Sequence, residues 1–148
     1  MFDIIVDIDG TLSELSHRQE YLKMTPKNWK KFNSLVHLDD THDDIIWIIK
    51  TLKMAGARII ICTARTEDIK EPTIEWLNDK AGLAGFYDAI YMRKSKDYRN
   101  DGIVKTELLE QMRKDGFNPT IVFDDRNKAV DAWRSAGLRC LQVAPGDF

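Results

Sequence analysis

Two carboxylates separated by a single residue stand in Asp7-Ile8-Asp9-Gly10-Thr11, directly after the apolar run Phe2 to Val6. A second acid pair, Asp124-Asp125, follows the apolar run Thr120 to Phe123, and Thr63-Ala64-Arg65 follows the run Ala57 to Cys62. Lys105 lies between them in the chain. Aspartate at such positions serves as nucleophile, proton carrier or oxygen ligand to a hard cation. Two like charges about 4 Å apart repel by about 4 kcal/mol at an effective dielectric near 20, so four acids at one place demand positive charge. Lys105 offers one such charge, and Asp7, Asp9, Asp124 and Asp125 together suit a hard divalent cation. Magnesium fits best where phosphate oxygens complete its octahedron. Taken singly, each of these residues reads as a turn former or a helix cap. An Asp-x-Asp pair, an Asp-Asp pair and a lysine in one set ask for a common explanation.

Each run before these polar residues has the length and composition of a buried strand. Between the strands the apolar residues recur at helical spacing. Ile45, Ile48, Ile49 and Leu52 predict a helix over about 42–55 ended by Gly56, and Pro72, Ile74, Leu77 and Ala81 predict another ended by Gly82. Val104, Leu108 and Met112 predict a helix stopped by Gly116 with Lys105 at its start, and Val130 and Trp133 mark one more. Ala89 to Met92 and Arg139 to Val143 complete a set of five strands. Thr25-Pro26 reads as a cap and first helical position, with Trp29, Phe32 and Leu35 following on one face. Alternating strands and helices imply an α/β fold, a Rossmann-like, doubly wound and mainly parallel sheet whose site lies at the carboxyl ends of the strands.

In their order along the chain, Asp7-Ile8-Asp9-Gly10-Thr11, Thr63, Lys105 and Asp124-Asp125 resemble the four motifs of the haloacid dehalogenase phosphohydrolase superfamily. The resemblance implies that Asp7 attacks phosphorus, that Asp9 acts as general acid and then base, and that Thr63 and Lys105 hold phosphoryl oxygens. A free aspartate has a pKa of about 3.9, so donation by Asp9 predicts neighbours that raise it, while Asp7, against a metal, is expected to stay ionised. A signalling receiver module uses similar residue types. It would need a phosphoacceptor aspartate on the third strand, which here ends at Met92-Arg93.

A narrower resemblance covers almost the whole chain and is to the 3′-phosphatase domain of bacteriophage polynucleotide kinase/phosphatases. It is carried by Arg18, Thr63-Ala64-Arg65, Met92-Arg93, Asp101-Gly102-Ile103-Val104-Lys105, Asp124-Asp125-Arg126, Trp133-Arg134 and the ending Gln142 to Phe148. It implies that Arg18, Thr63, Ala64, Arg65, Arg93 and Asp101 bind substrate, a 3′-phosphorylated DNA or RNA end. Mononucleotides and other small phosphomonoesters are the alternative substrates. The stretch from about 12 to 44 exceeds what that family leads one to expect and predicts a helical cap insertion. No Gly-x-x-x-x-Gly-Lys-Ser/Thr loop occurs, so this chain alone is not expected to phosphorylate 5′ ends; it is either a free-standing enzyme, with a separate kinase or ligase as partner, or a domain of a larger kinase/phosphatase. Trp29 and Phe32 read as core aromatics, with base stacking as the other option.

A chain of 148 residues with 43% hydrophobic and 31% charged residues fits one globular domain, 1–148. The net charge of −2 disfavours tight nonspecific binding along a duplex. Cys62 and Cys140 sit inside apolar runs and no stretch approaches the roughly 20 apolar residues of a membrane span, so the expected location is cytoplasmic. DNA against RNA, and the oligomeric state, stay open at the level of sequence.

Overall fold

The computed structural model covers residues 1–148, and its organising element is a five-stranded parallel sheet. The strands are β1 (Asp3–Val6), β4 (Arg58–Thr66), β5 (Ala89–Arg93), β6 (Pro119–Asp124) and β7 (Arg139–Gln142), in the spatial order β5-β4-β1-β6-β7. β1 is therefore central. Its neighbours run parallel to it in a register that sets Val6 beside Ile61 on one side and Phe123 on the other. The polar residues that follow these positions consequently emerge at the same edge.

Alternation along each strand divides the apolar side chains between two faces. Ile4 and Val6 of β1, Ile59 and Ile61 of β4 and Phe123 of β6 meet Ile46 and Ile49 of helix α2 (Asp43–Met54) and the segment after α3 (Lys70–Glu75). Ile5, Ile60, Cys62 and Val122 point the other way, onto Leu109 and Met112 of α4 (Asp101–Lys114) and Val130 and Trp133 of α5 (Asn127–Ser135). Central strands apolar on both faces require helices on both, which is the doubly wound arrangement. Burial lifts the thiols of Cys62 and Cys140 to about 12, so both stay protonated core residues.

The insertion leaves and rejoins the sheet edge through a short antiparallel ribbon, β2 (Ser13–Glu14) with β3 (Asp40–Thr41). Between its strands lie a 3₁₀ segment, Ser16–Leu22, the single α-helix α1 (Trp29–Ser34), and a 3₁₀ turn, Val36–Leu38. Helix α1 begins later than Thr25-Pro26 suggests. Asn28 caps it by accepting from the Lys31 amide at 3.1 Å, a bond that proline cannot organise. Lys105 likewise lies a turn inside α4, whose cap is Asn100 accepting from Gly102 N at 2.8 Å.

Candidate active site

Asp7 is the first residue beyond β1, fixed by its amide donating to Phe123 O at 3.0 Å, and is 5% exposed. Asp124 closes β6 at the same level, with Asp125 next to it. Oxygens of Asp7, Asp124 and Asp125 lie within 4.8 Å of one another, and all three residues are buried. Gly10 makes this approach feasible: it has φ +83° and stands so near the Asp125 carboxylate that any Cβ there would collide with it. Thr11 Oγ1 donates to Asp7 Oδ2 at 3.3 Å and lies 3.4 Å from Asp125 Oδ1.

One cation faces these three acids. Lys105 Nζ donates to Asp7 Oδ1 at 3.0 Å and to Asp124 Oδ2 at 2.7 Å from a position 2% exposed. Burial disfavours its charge, but Asp124 and Asp7 outweigh burial and hold its pKa well above the ordinary lysine value. Asp124 is satisfied by Trp133 Nε1 at 3.0 Å and the Asp125 amide at 2.8 Å. Asp7 and Asp125 are less well compensated. Burial, then the charge of Asp124, push Asp7 well above the carboxylate range and Asp125 to about 6. This upward push on Asp7 and Asp125 comes from burial and from acids crowded at one place with too little positive charge beside them. Three hard oxygen donors against one ammonium leave an excess of two negative charges, which is the donor set and the deficit that a divalent cation such as Mg²⁺ fits.

Asp9 belongs to a different group. Its carboxylate is not among the three that converge. Oδ1 accepts from Arg18 Nη2 at 2.8 Å and from Arg65 Nε and Nη2 at 3.0 and 2.7 Å. Ser13 Oγ also reaches it at 3.3 Å, while Oδ2 has no protein partner and the side chain is 28% exposed. Burial alone would raise the pKa of Asp9, yet Arg65 and then Arg18 bring it down to about 2, reversing the upward shift expected from its role as acid.

The arginines are themselves held by Asp39, a fully buried residue that the motifs do not mark. Arg18 Nε and Nη2 bond its two oxygens at 2.7 Å each, Arg65 Nη2 lies 3.2 Å from Oδ2, and His17 Nε2 is 2.7 Å from Oδ1. Thr73 accepts from Arg65 Nη1 at 3.2 Å. Trp76 Nε1 donates to Asp39 O at 2.9 Å, tying the insertion to the segment after α3. The only sequence signal for Asp39 is an acid near the start of α2, a place where acids commonly cap.

Thr63 is buried at the irregular end of β4, its Oγ1 accepting from the Arg65 amide at 3.1 Å. The carbonyl of Ala64 accepts from Arg93 Nε at 3.1 Å. Arg93 also donates to Asp97 O and Arg99 O at 3.0 and 2.7 Å and pairs with Asp101, whose other oxygen takes Arg126. Arg93 and Asp101 therefore brace the loop over residues 94–100 and the start of α4, and their bonding capacity is largely used within the protein. The C-terminal segment braces the other side. Gln142 Nε2 donates to Asp125 O at 2.9 Å, and Gly146, where a Cβ would collide with the Asp125 carbonyl, accepts from Asn127 N at 2.9 Å.

The family model of the polynucleotide kinase PNKP phosphatase domain matches residues 3–148. A protein of Autographa californica nuclear polyhedrosis virus, named as a bifunctional polynucleotide kinase/RNA ligase, is 26% identical over 132 residues, 88% of this chain and 17% of its own length. A solved chain of a Pnkp1/Rnl/Hen1 complex superposes with a TM-score of 0.77 at 33% identity, covering 99% of this chain and 47% of that one. The chain thus spans less than half the length of either relative. A haloacid dehalogenase-like hydrolase from Streptococcus pneumoniae shares the fold, with a TM-score of 0.65 at 14% identity over 96% of this chain and 84% of its own. No helix is long and apolar enough to cross a membrane. By its match from residue 3 to residue 148, the chain belongs to the family of the polynucleotide kinase PNKP phosphatase domain, on the haloacid dehalogenase fold.

Proposed function

We propose that this chain is a magnesium-dependent phosphomonoesterase that removes the 3′-terminal phosphate of a polynucleotide through an aspartyl-phosphate on Asp7. The observation that carries the reading is the convergence of Asp7 with Asp124, Asp125 and Lys105 at one edge of the sheet, in a chain matched over residues 3–148 to a polynucleotide kinase phosphatase domain.

A carboxylate oxygen of Asp7 attacks phosphorus, and the bond from phosphorus to the sugar oxygen breaks. Asp9 Oδ2, the oxygen free of protein partners, passes a proton to the departing oxygen. In the second half, Asp9 takes a proton from water while the water oxygen attacks phosphorus, releasing inorganic phosphate and restoring Asp7. Arg18 and Arg65 keep Asp9 anionic in the free protein, which is the form the second half needs. The first half needs the protonated form. An incoming phosphate dianion beside Asp9 opposes its negative charge and so moves its pKa back up towards the protonated form. In this reading Lys105 and Thr63 hold the equatorial oxygens as they gain charge, a role supported for Lys105 by its 3.0 Å bond to Asp7. Asp7, Asp124 and Asp125 are the side chains that would hold magnesium, which when bound offsets the charge of the acids and of the phosphoryl oxygens. In this assignment Arg93 and Asp101 act by fixing the loop that precedes Lys105.

A 5′-kinase, and any ligase, would be a separate polypeptide or another part of a longer chain. The relatives' names pair such activities, and no P-loop occurs here. The test compares phosphate release from a 3′-phosphorylated oligonucleotide, a 5′-phosphorylated one and nucleoside monophosphates, with magnesium and with chelator. The 3′-phosphorylated oligonucleotide is expected to turn over fastest and only with the metal. Equal or faster turnover of the small esters would overturn the polynucleotide reading.

A further inference from the structure

Residues 21–38 carry Lys23, Lys27, Lys30 and Lys31 and no acid, although the chain as a whole is net negative. The 22 Lys and Arg of the chain less these four leave 18 against all 24 Asp and Glu elsewhere, so residues 21–38 form a locally positive stretch between Glu20 and Asp39. All four lysines are exposed. Among them stand two large apolar side chains, Trp29 and Met24, each 50% exposed.

This surface joins the active site through a short series of contacts. Asp9 bonds Arg18 at 2.8 Å, the Arg18 guanidinium carbon lies 4.1 Å from the centre of the Phe32 ring, and Trp29 meets Phe32 edge to face at 5.7 Å and 88°. Arg18 Nη1, buried and without a hydrogen-bond partner, lies on that path. Lys27 Nζ sits 5.8 Å from the centre of the Trp29 ring. Phe32, at 6% exposure, is the core member of the pair, and Trp29 is the free one.

We infer that the insertion is a docking surface for the nucleic-acid strand that ends in the reacting phosphate. Trp29 stacks a base upstream of the terminal nucleotide, and Lys27, Lys30 and Lys31 follow the backbone phosphates. The inference rests on the polynucleotide reading above and specifies its substrate as a single-stranded end. Charge selects the occupant: lysines without acids suit a phosphodiester backbone, and an exposed indole beside them supplies the sequence-tolerant π-face that single strands use. A small phosphomonoester reaches Asp7 and Asp9 without touching any of these side chains.

Binding of a 3′-hydroxyl ten-nucleotide single strand, read by fluorescence anisotropy, tests the surface without involving catalysis. Trp29→Ala is expected to weaken this binding about tenfold, and Trp29→Phe to restore most of it. The triple variant K27A/K30A/K31A is expected to lower the slope of log affinity against log salt by about 2, because each backbone phosphate that a lysine neutralises adds about 0.7 to that slope. Turnover of a nucleoside 3′-monophosphate should be unchanged in both variants, which a general loss of fold would not permit. Wild-type affinity and salt slope in both variants would overturn the inference and leave a partner protein as the occupant. Tight, Trp29-dependent strand binding together with no preference for 3′-phosphorylated oligonucleotides in turnover would instead remove the reaction assignment and keep the surface.

Discussion

Two carboxylate clusters, begun by aspartates two positions apart in the chain, are built on opposite electrostatic plans. At the sheet edge three acids, Asp7, Asp124 and Asp125, face one lysine, and the excess negative charge drives Asp7 and Asp125 upward in pKa. Beneath the insertion two acids, Asp9 and Asp39, face two arginines, and Asp9 falls to about 2. What a carboxylate does here is set by the count of cations around it, since both clusters are buried and both incur the same kind of desolvation. One cluster lacks positive charge and so has room for a metal and a phosphoryl group. The other is complete and can hold a group in position.

Asp7→Asn breaks the first cluster most sharply. Loss of the nucleophile is expected to cut hydrolysis by at least about 10⁴-fold. Because one negative charge leaves an over-acidic site, the metal-free variant should melt at or above the wild-type temperature. Substantial residual turnover would mean that another group attacks phosphorus, and a lower melting temperature would contradict the charge excess. Asp39→Asn tests the second cluster. It touches no reacting atom in the proposed mechanism, yet Arg18 and Arg65 are left with Asp9 as their one carboxylate partner, and the carboxylate beside His17 is lost. A fall of about 10- to 100-fold in kcat is expected for oligonucleotide and small ester alike, with a lower melting temperature, by analogy with residues that orient catalytic groups. Wild-type kcat in this variant would show that the arginines hold their places without it.

The contrast between the clusters also explains what sequence alone revealed. The sheet-edge group was legible because Asp7, Asp124 and Asp125 stand at the ends of buried strands and Lys105 lies one turn into a helix, so local pattern and topology bring them together. The five strands were legible as short apolar runs standing between segments of helical periodicity. Asp39 was not, since its partners Arg18 and Arg65 lie 21 and 26 residues away and meet it only once the β2–β3 ribbon folds the insertion back. Nor was the direction in which the pKa of Asp9 moves, because a pKa depends on which cations reach a carboxylate rather than on motif position. The roles of Arg93 and Asp101 were half visible: the sequence placed both near the site, but their pairing with each other and with loop carbonyls appears only in three dimensions.

The smallest expected effect separates the two clusters by pH and metal. Asp125 titrates higher in the folded protein than in the unfolded chain, so its contribution is fully present below pH about 4 and is lost as pH rises through about 6, and Asp7 is shifted in the same direction. Asp9 has the opposite sign: its contribution is present above pH about 4 and lost as pH falls towards 2. In chelator, the melting temperature should therefore decline between pH 4 and 7. Magnesium binds the ionised acids in competition with protons, so it should restore a few degrees at pH 7.5 and almost nothing at pH 5. Asp125→Asn should flatten both the decline and the magnesium effect, because it removes the group that titrates near 6. Melting curves across that range, with and without the metal, decide the matter. A metal-free melting temperature that rises from pH 4 to 7, or a magnesium effect independent of pH, would mean that the sheet-edge acids are better compensated than their geometry implies.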